Sequence, residues 1–154
     1  MRLLRVLVPT LALALLPAAA GAQTVELITR DSPYSVTETL DRLEAALEEA
    51  GITVFARIDH GGNAEAAGLE LAPMQLLIFG NPRIGAPLMR EAPSIGLDLP
   101  LRALAWEDEN GDVFLQYTPA AELQERYAVM GQDEVFARMS AALERFTTEA
   151  VAEE

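Results

Sequence analysis

The run Met74-Gln75-Leu76-Leu77-Ile78-Phe79 is apolar at every position but one. As a β-strand it puts apolar groups on both faces of a sheet, so both faces must be covered. The rest of the chain has to supply two layers of cover around this strand.

Helices are written plainly on one side of that requirement. Ser35-Val36-Thr37-Glu38 is a capping box, and Val36, Leu40, Leu43, Leu47 and Ala50 then fall on one helical face before Gly51 stops the helix. A second amphipathic stretch, from about Gln132 to Ala150, aligns Phe136, Met139, Leu143 and Phe146 in a stripe beside Glu-rich positions. It follows a helical region opened by Pro119, and residues 151–154 are expected to be a frayed acidic tail.

Strands fill the intervals. Val25 to Arg30 alternates and is broken by Asp31-Ser32-Pro33. Ile52 to Asp59 places Ile52, Val54, Ala56 and Ile58 on one side and Thr53, Phe55, Arg57 and Asp59 on the other. His60-Gly61-Gly62-Asn63 ends this strand, with Asn63 suited to cap a short helix from Ala64 to Leu69. Gly80-Asn81-Pro82 reads as a turn, Arg83 to Glu91 as a short helix or irregular segment, and Pro93 to Pro100 as a loop. Leu101 to Glu107 and Val113 to Thr118 form a hairpin, in which Asn110-Gly111 supplies positive φ angles.

The pattern predicts an α+β domain over residues 23–150: a mostly antiparallel sheet with two long helices on one face, in the order β-α-β-β-β-β-α with short helical excursions. Strand alternation puts Phe55, Leu77, Phe79, Leu104, Trp106 and Phe114 on the second face, too apolar to leave in water. Either the segments 64–70 and 83–91 fold over it or a second copy does, and the expectation is a homodimer.

Residues 1–22 have the form of a secretory signal peptide: Arg2 and Arg5, an apolar stretch from Val6 to Leu16, Pro17, then Ala20-Gly21-Ala22 as the cleavage site. The apolar stretch is about half of the roughly 20 residues a membrane span needs, so the mature chain is expected to be periplasmic with no integral membrane segment. Cleavage removes two of the eleven basic residues and leaves nine against 24 acidic ones, a balance of −15. Such a field disfavours nucleic acid and anionic lipid and suits a small molecule or cationic ligand. With neither lysine nor cysteine in the chain, Schiff-base chemistry, P-loops, thiolate catalysis and disulfides are excluded.

A series of motifs points to a family. Ile58-Asp59-His60, Ala64 to Gly68, Leu71 to Pro73, Leu77-Ile78-Phe79-Gly80-Asn81-Pro82 and Gly96-Leu97-Asp98-Leu99-Pro100 follow one another in an order that resembles the domain of unknown function family 302. The resemblance implies a compact fold like the sheet-and-helix arrangement of the TATA-binding protein, commonly dimeric, and no established activity.

His60 is the sole histidine, so any histidine chemistry, as metal ligand or general base, must use it. The alternative is a turn histidine whose ring bonds backbone carbonyls and fixes Gly61-Gly62. Asn81 suits a turn before Pro82. If the ends of strands 52–59 and 74–79 share a rim, His60 and Asn81 meet there and Asp98 and Arg83 join them as ligand-binding residues. Asp108-Glu109-Asn110-Gly111-Asp112 misses the calcium-loop spacing, and Met74, Met89, Met130 and Met139 lack the clustering of a copper site. No cofactor is identified, and whether a metal binds stays open. The leading expectation is a noncatalytic periplasmic binding or accessory domain with its ligand at this rim. Two alternatives are an enzyme with His60 as general acid or base oriented by Asp98, and a purely structural homodimeric module.

Overall fold

The computed structural model describes residues 26–153; the signal peptide predicted over residues 1–22 lies outside them. Five strands, β1 (Ile28–Ser32), β2 (Thr53–Asp59), β3 (Met74–Gly80), β4 (Leu101–Glu107) and β5 (Val113–Tyr117), form one sheet in the order β1-β5-β4-β3-β2. Every neighbouring pair is antiparallel. The apolar β3 stands inside the sheet, where its sequence requires it to be.

Two long helices, α1 (Val36–Glu49) and α5 (Asp133–Val151), cover one face. Ser35 caps α1 by accepting from the Glu38 amide at 3.2 Å, and Gly51 ends it at φ +71°. Between α1 and α5 the core gathers Leu40, Leu43, Leu47, Leu77, Ala103, Leu115 and Phe136, all fully or almost fully buried. Helix α5 takes in Val151, so the predicted tail shortens to the residues beyond it.

The short helices depart from expectation in detail. Helix α2 spans His60–Ala66, and its cap is Asp59, not Asn63: the Asp59 carboxylate accepts from the Gly62 amide at 2.8 Å. Asn81 caps α3 (Pro82–Glu91) by accepting from the Arg83 amide at 2.9 Å, which makes the predicted turn a helix start. Pro93–Leu97 is a 3-10 turn in place of a loop. Helix α4 spans Ala120–Arg126. In the β4–β5 connection only Gly111 has positive φ, +85°, because the Asp108 carboxylate accepts from the Asn110 and Asp112 amides and shapes a longer loop than a two-residue turn. Strand β1 continues through Asp31 and Ser32, whose backbones pair with Phe114 and Val113.

One irregularity redistributes the faces. In β2, Val54 pairs with Phe79 and Ala56 with Ile78, so Phe55 is an extra residue in a β-bulge. Past the bulge, Arg57 and Asp59 turn to the helix side with Leu77 and Gln75, while Ala56 and Ile58 turn away with Ile78 and Leu76. The alternation predicted for Ile52 to Asp59 therefore holds only up to Val54. Leu77 and Phe79 belong to the buried helix side, not to the second face. The second face carries Ile58, Met74, Leu76, Ile78, Leu104, Trp106 and Phe114, each partly exposed. Trp106 and Phe114 rings lie 4.9 Å apart, and Trp106 Nε1 is buried with no hydrogen-bond partner among the described residues. Helix α3 does not cover this face: its Ile84 and Gly85 share a pocket with Phe79, Leu101 and residues of α5, on the helix side.

Candidate functional site

The antiparallel pairing of β2 with β3 decides where the predicted residues stand. Asp59 pairs with Gln75 and Thr53 with Gly80, so the end of one strand lies beside the start of the other. His60 and Asn81 are therefore at opposite ends of the ladder, about 20 Å apart at ~3.3 Å per residue. Asp98 sits shortly before β4, whose first residue pairs with Phe79, and so lies at the Asn81 end. The expected rim does not assemble.

Each predicted residue then has its own setting. His60 is half-buried at the first position of α2, and its ring makes no hydrogen bond or ion pair among the described residues. It is Asp59 that shapes the Gly61-Gly62 turn. A Cβ at Gly62 would stand 3.0 Å from Asp59 Oδ2, a tight approach that glycine avoids. Arg83 is exposed, also with no side-chain partner among the described residues.

Asp98 is fully occupied. Its Oδ1 is paired with Arg102, and its Oδ2 accepts from Arg126 Nη1 at 2.9 Å and from the Tyr127 hydroxyl at 2.6 Å. Partial burial pushes the carboxyl upward, but the Tyr127 and Arg126 hydrogen bonds and the charges of Arg102 and Arg126 outweigh it and hold it below the usual carboxylate range. The same bond, with burial, raises Tyr127. With both oxygens committed, Asp98 is a fastening between the residues preceding β4 and the end of α4, and not the orienting partner of a histidine.

Two concavities bear on a ligand site. One, of about 740 Å³, opens beside α2 and the start of β3; its charged lining is Asp59, Glu65 and Glu70, all carboxylates. Among the described residues no group of three or more His, Asp or Glu is arranged to hold a metal ion. The other, of about 280 Å³, is formed where α1, α3 and α5 meet the Asn81 end of the sheet. Its walls are apolar: Leu47 and Ile52, Phe79 and Leu101, Ile84, Leu99, and Met139, Ala142, Leu143 and Phe146 of α5. Only Asn81 and Arg138 bring polar side chains to it, and Arg138 is its one charged residue. Gly85 lies on the wall, with Met89 Cε and Leu99 Cδ1 the atoms nearest to where a Cβ would stand. An apolar chamber with a few polar groups is the ordinary form of a small-molecule site.

The sequence pointed to Asn81 and, through Leu99 beside the predicted Asp98, brushed this pocket. It did not reveal Arg138, which sits beside Met139 in the α5 stripe and reads as one more solvent-side charge.

The profile of the family described as "Domain of unknown function DUF302" matches residues 28–146. The chain belongs to the DUF302 family. A crystal structure of an uncharacterized conserved DUF302 protein from Bacillus stearothermophilus superposes with a TM-score of 0.72 at 22% identity, covering 80% of this chain and 97% of the other; that likeness is one of fold. Among curated proteins, "Fluoride-specific ion channel FluC 1" of Brucella suis biovar 1 is 48% identical over 113 residues, which are 73% of this chain and 44% of the relative. The protein of the same name from Brucella abortus biovar 1 is also 48% identical over 113 residues, 42% of its length. This DUF302 chain thus spans less than half the length of the curated relatives it matches. No helix among its described residues is long and apolar enough to cross a membrane.

Proposed function

We propose that this DUF302 chain is a noncatalytic, exported accessory domain that holds a small, mostly apolar molecule in the pocket between α1, α3, α5 and the sheet, and that it works as a homodimer. The observation that carries the reading is the pocket itself: an apolar chamber of about 280 Å³ opening beside the Asn81 cap, against the buried core. The absence of a base beside it favours binding over catalysis, since His60 is at the far end of the ladder and Asp98 is committed to Arg102, Arg126 and Tyr127.

The accessory role fits the curated relatives, which carry a stretch like this chain beside a larger part that it does not match. We assign the channel activity in their name to that larger part. The dimer rests on the second sheet face, where Leu76, Ile78, Leu104, Trp106 and Phe114 stay partly exposed. In that central region the charges are Arg102, already paired with Asp98, and the edge residue Asp31, so in a chain of net charge −13 little charge opposes a second copy there. Export rests on residues 1–22.

Thermal unfolding in the presence of 1-heptanol tests the pocket. A ligand that binds the native state raises the midpoint with concentration, and Ala142→Trp, which fills the chamber from α5, abolishes the rise. A midpoint indifferent to heptanol in the parent protein overturns the reading.

A further inference from the structure

We infer that the pocket selects an anionic amphiphile, a monocarboxylate of about seven carbons, and that Arg138 is the residue that recognises its head. The inference rests on the pocket reading above and narrows it to a ligand class.

The charge pattern is the first argument. The chain has 24 acidic residues against 11 basic ones, yet no carboxylate lines this pocket and its one charged residue is an arginine. The other large concavity has the reverse lining, with Asp59, Glu65 and Glu70. A cationic ligand, which the net charge alone would favour, has no partner in the apolar chamber.

Donor chemistry is the second. Asn81 Oδ1 already accepts from the Arg83 amide, while its amide NH₂, two donors, has no partner among the described residues. Arg138 has only N–H donors. The polar side chains at this pocket therefore present donors and call for an acceptor, and a guanidinium matches a carboxylate in two-pronged geometry. The amino end of α3, at Asn81, adds partial positive charge on the same side.

Arg138 is also available. Its present partner is Glu134, at 3.7 Å, one turn earlier on α5, and their side chains are 68% and 93% exposed. A pair that open contributes little and is readily exchanged for a ligand carboxylate whose tail is buried beside it.

Size sets the body. At the ~30 Å³ that a water occupies in the liquid, the chamber takes roughly nine non-hydrogen atoms, the number in heptanoate.

The test compares heptanoate with 1-heptanol by calorimetric titration of the full protein, with Arg138→Gln and Arg138→Lys beside it. Heptanoate is expected to bind the parent about tenfold tighter than heptanol, the equivalent of one charge-assisted hydrogen bond. Arg138→Gln should remove that advantage and leave heptanol affinity within about twofold, while Arg138→Lys, still cationic, restores part of it. Equal binding of the two ligands by the parent, or an equal loss of both in Arg138→Gln, overturns the carboxylate inference and leaves the pocket standing. Binding of neither overturns the pocket reading and this inference together.

Discussion

The hydroxyl of Tyr127 donates to Oδ2 of Asp98 at 2.6 Å, and so ties the residue that ends α4 to the residue that leads into β4. Arg126 reaches the same oxygen, and Arg102 the other. One carboxylate, with 14% of its side chain exposed, holds three donors from two elements.

That fastening has a pH signature. Asp98 is held below the ordinary carboxylate value in the folded protein, so the unfolded chain takes up its proton first on acidification. The stabilisation is complete above the unfolded pKa of ~3.9 and is lost as pH falls through the lower, folded value. Asp98→Asn should therefore lower stability by about 1–3 kcal/mol at pH 7. In urea unfolding followed from pH 7 to pH 3, the gap between the two proteins should hold down to about pH 5 and close below about pH 4.

The β2–α2 junction separates two neighbours of similar prominence in the sequence. Asp59→Ala removes the cap on the Gly62 amide and should cost about 1 kcal/mol. His60→Ala, whose ring bonds nothing among the described residues, should stay within about 0.5 kcal/mol of the parent. Chemical denaturation of the two variants checks this. A larger loss for His60→Ala would assign the junction to the histidine.

Leu76 and Leu77 are adjacent and face opposite ways. Leu77 has no exposed surface, so Leu77→Ala should cost about 2–5 kcal/mol through the cavity it leaves. Leu76→Asp should keep the native circular dichroism and, if two copies meet on the second face, halve the mass seen by light scattering. A parent protein that already scatters as a monomer at micromolar concentration removes the dimer.

Thr147 is fully buried on α5; its hydroxyl accepts from Arg30 Nε of β1 at 2.9 Å and donates to the Leu143 carbonyl at 2.8 Å. Thr147→Val keeps the shape and leaves the Arg30 Nε–H without its acceptor. The expected loss is about 1–3 kcal/mol in urea unfolding, and an unchanged midpoint would mean that Arg30 finds water or another acceptor.

The helices were legible because their signals are local. Ser35, Glu38 and Gly51 each act within a turn or so of where they stand, and the 3.6-residue spacing of Leu40, Leu43 and Leu47 needs no knowledge of a partner. The sheet was legible as a set of strands, but its faces were not. Period-two alternation places Phe55 with Arg57, and only the pairing with β3 reveals that a residue is extra. The same holds for the site. His60 drew attention as the sole histidine, and the strand directions that separate it from Asn81 and Asp98 are a property of the whole sheet. The pocket joins residues from Leu47 to Phe146, nearly all of which read individually as core. Arg138 stands next to the buried stripe, where a helical arginine normally faces water.

The bulge in β2 makes Phe55 a surplus letter in an otherwise fixed spelling. Val54 on the helix side and Ala56 on the other are already in the relation that a regular strand would give them if nothing stood between. Removing Phe55 would heal the ladder and leave every other residue of β2 facing as it does now. Removing Ile58 would instead make Arg57 and Asp59 neighbours and send one of them across to the opposite side of the sheet, or else slide the strand against β3. Of these two one-residue deletions in the same strand, the first preserves the ion pairs of Arg57 with Asp41 and Glu44 on α1, and the second gives up either them or the Asp59 cap on Gly62.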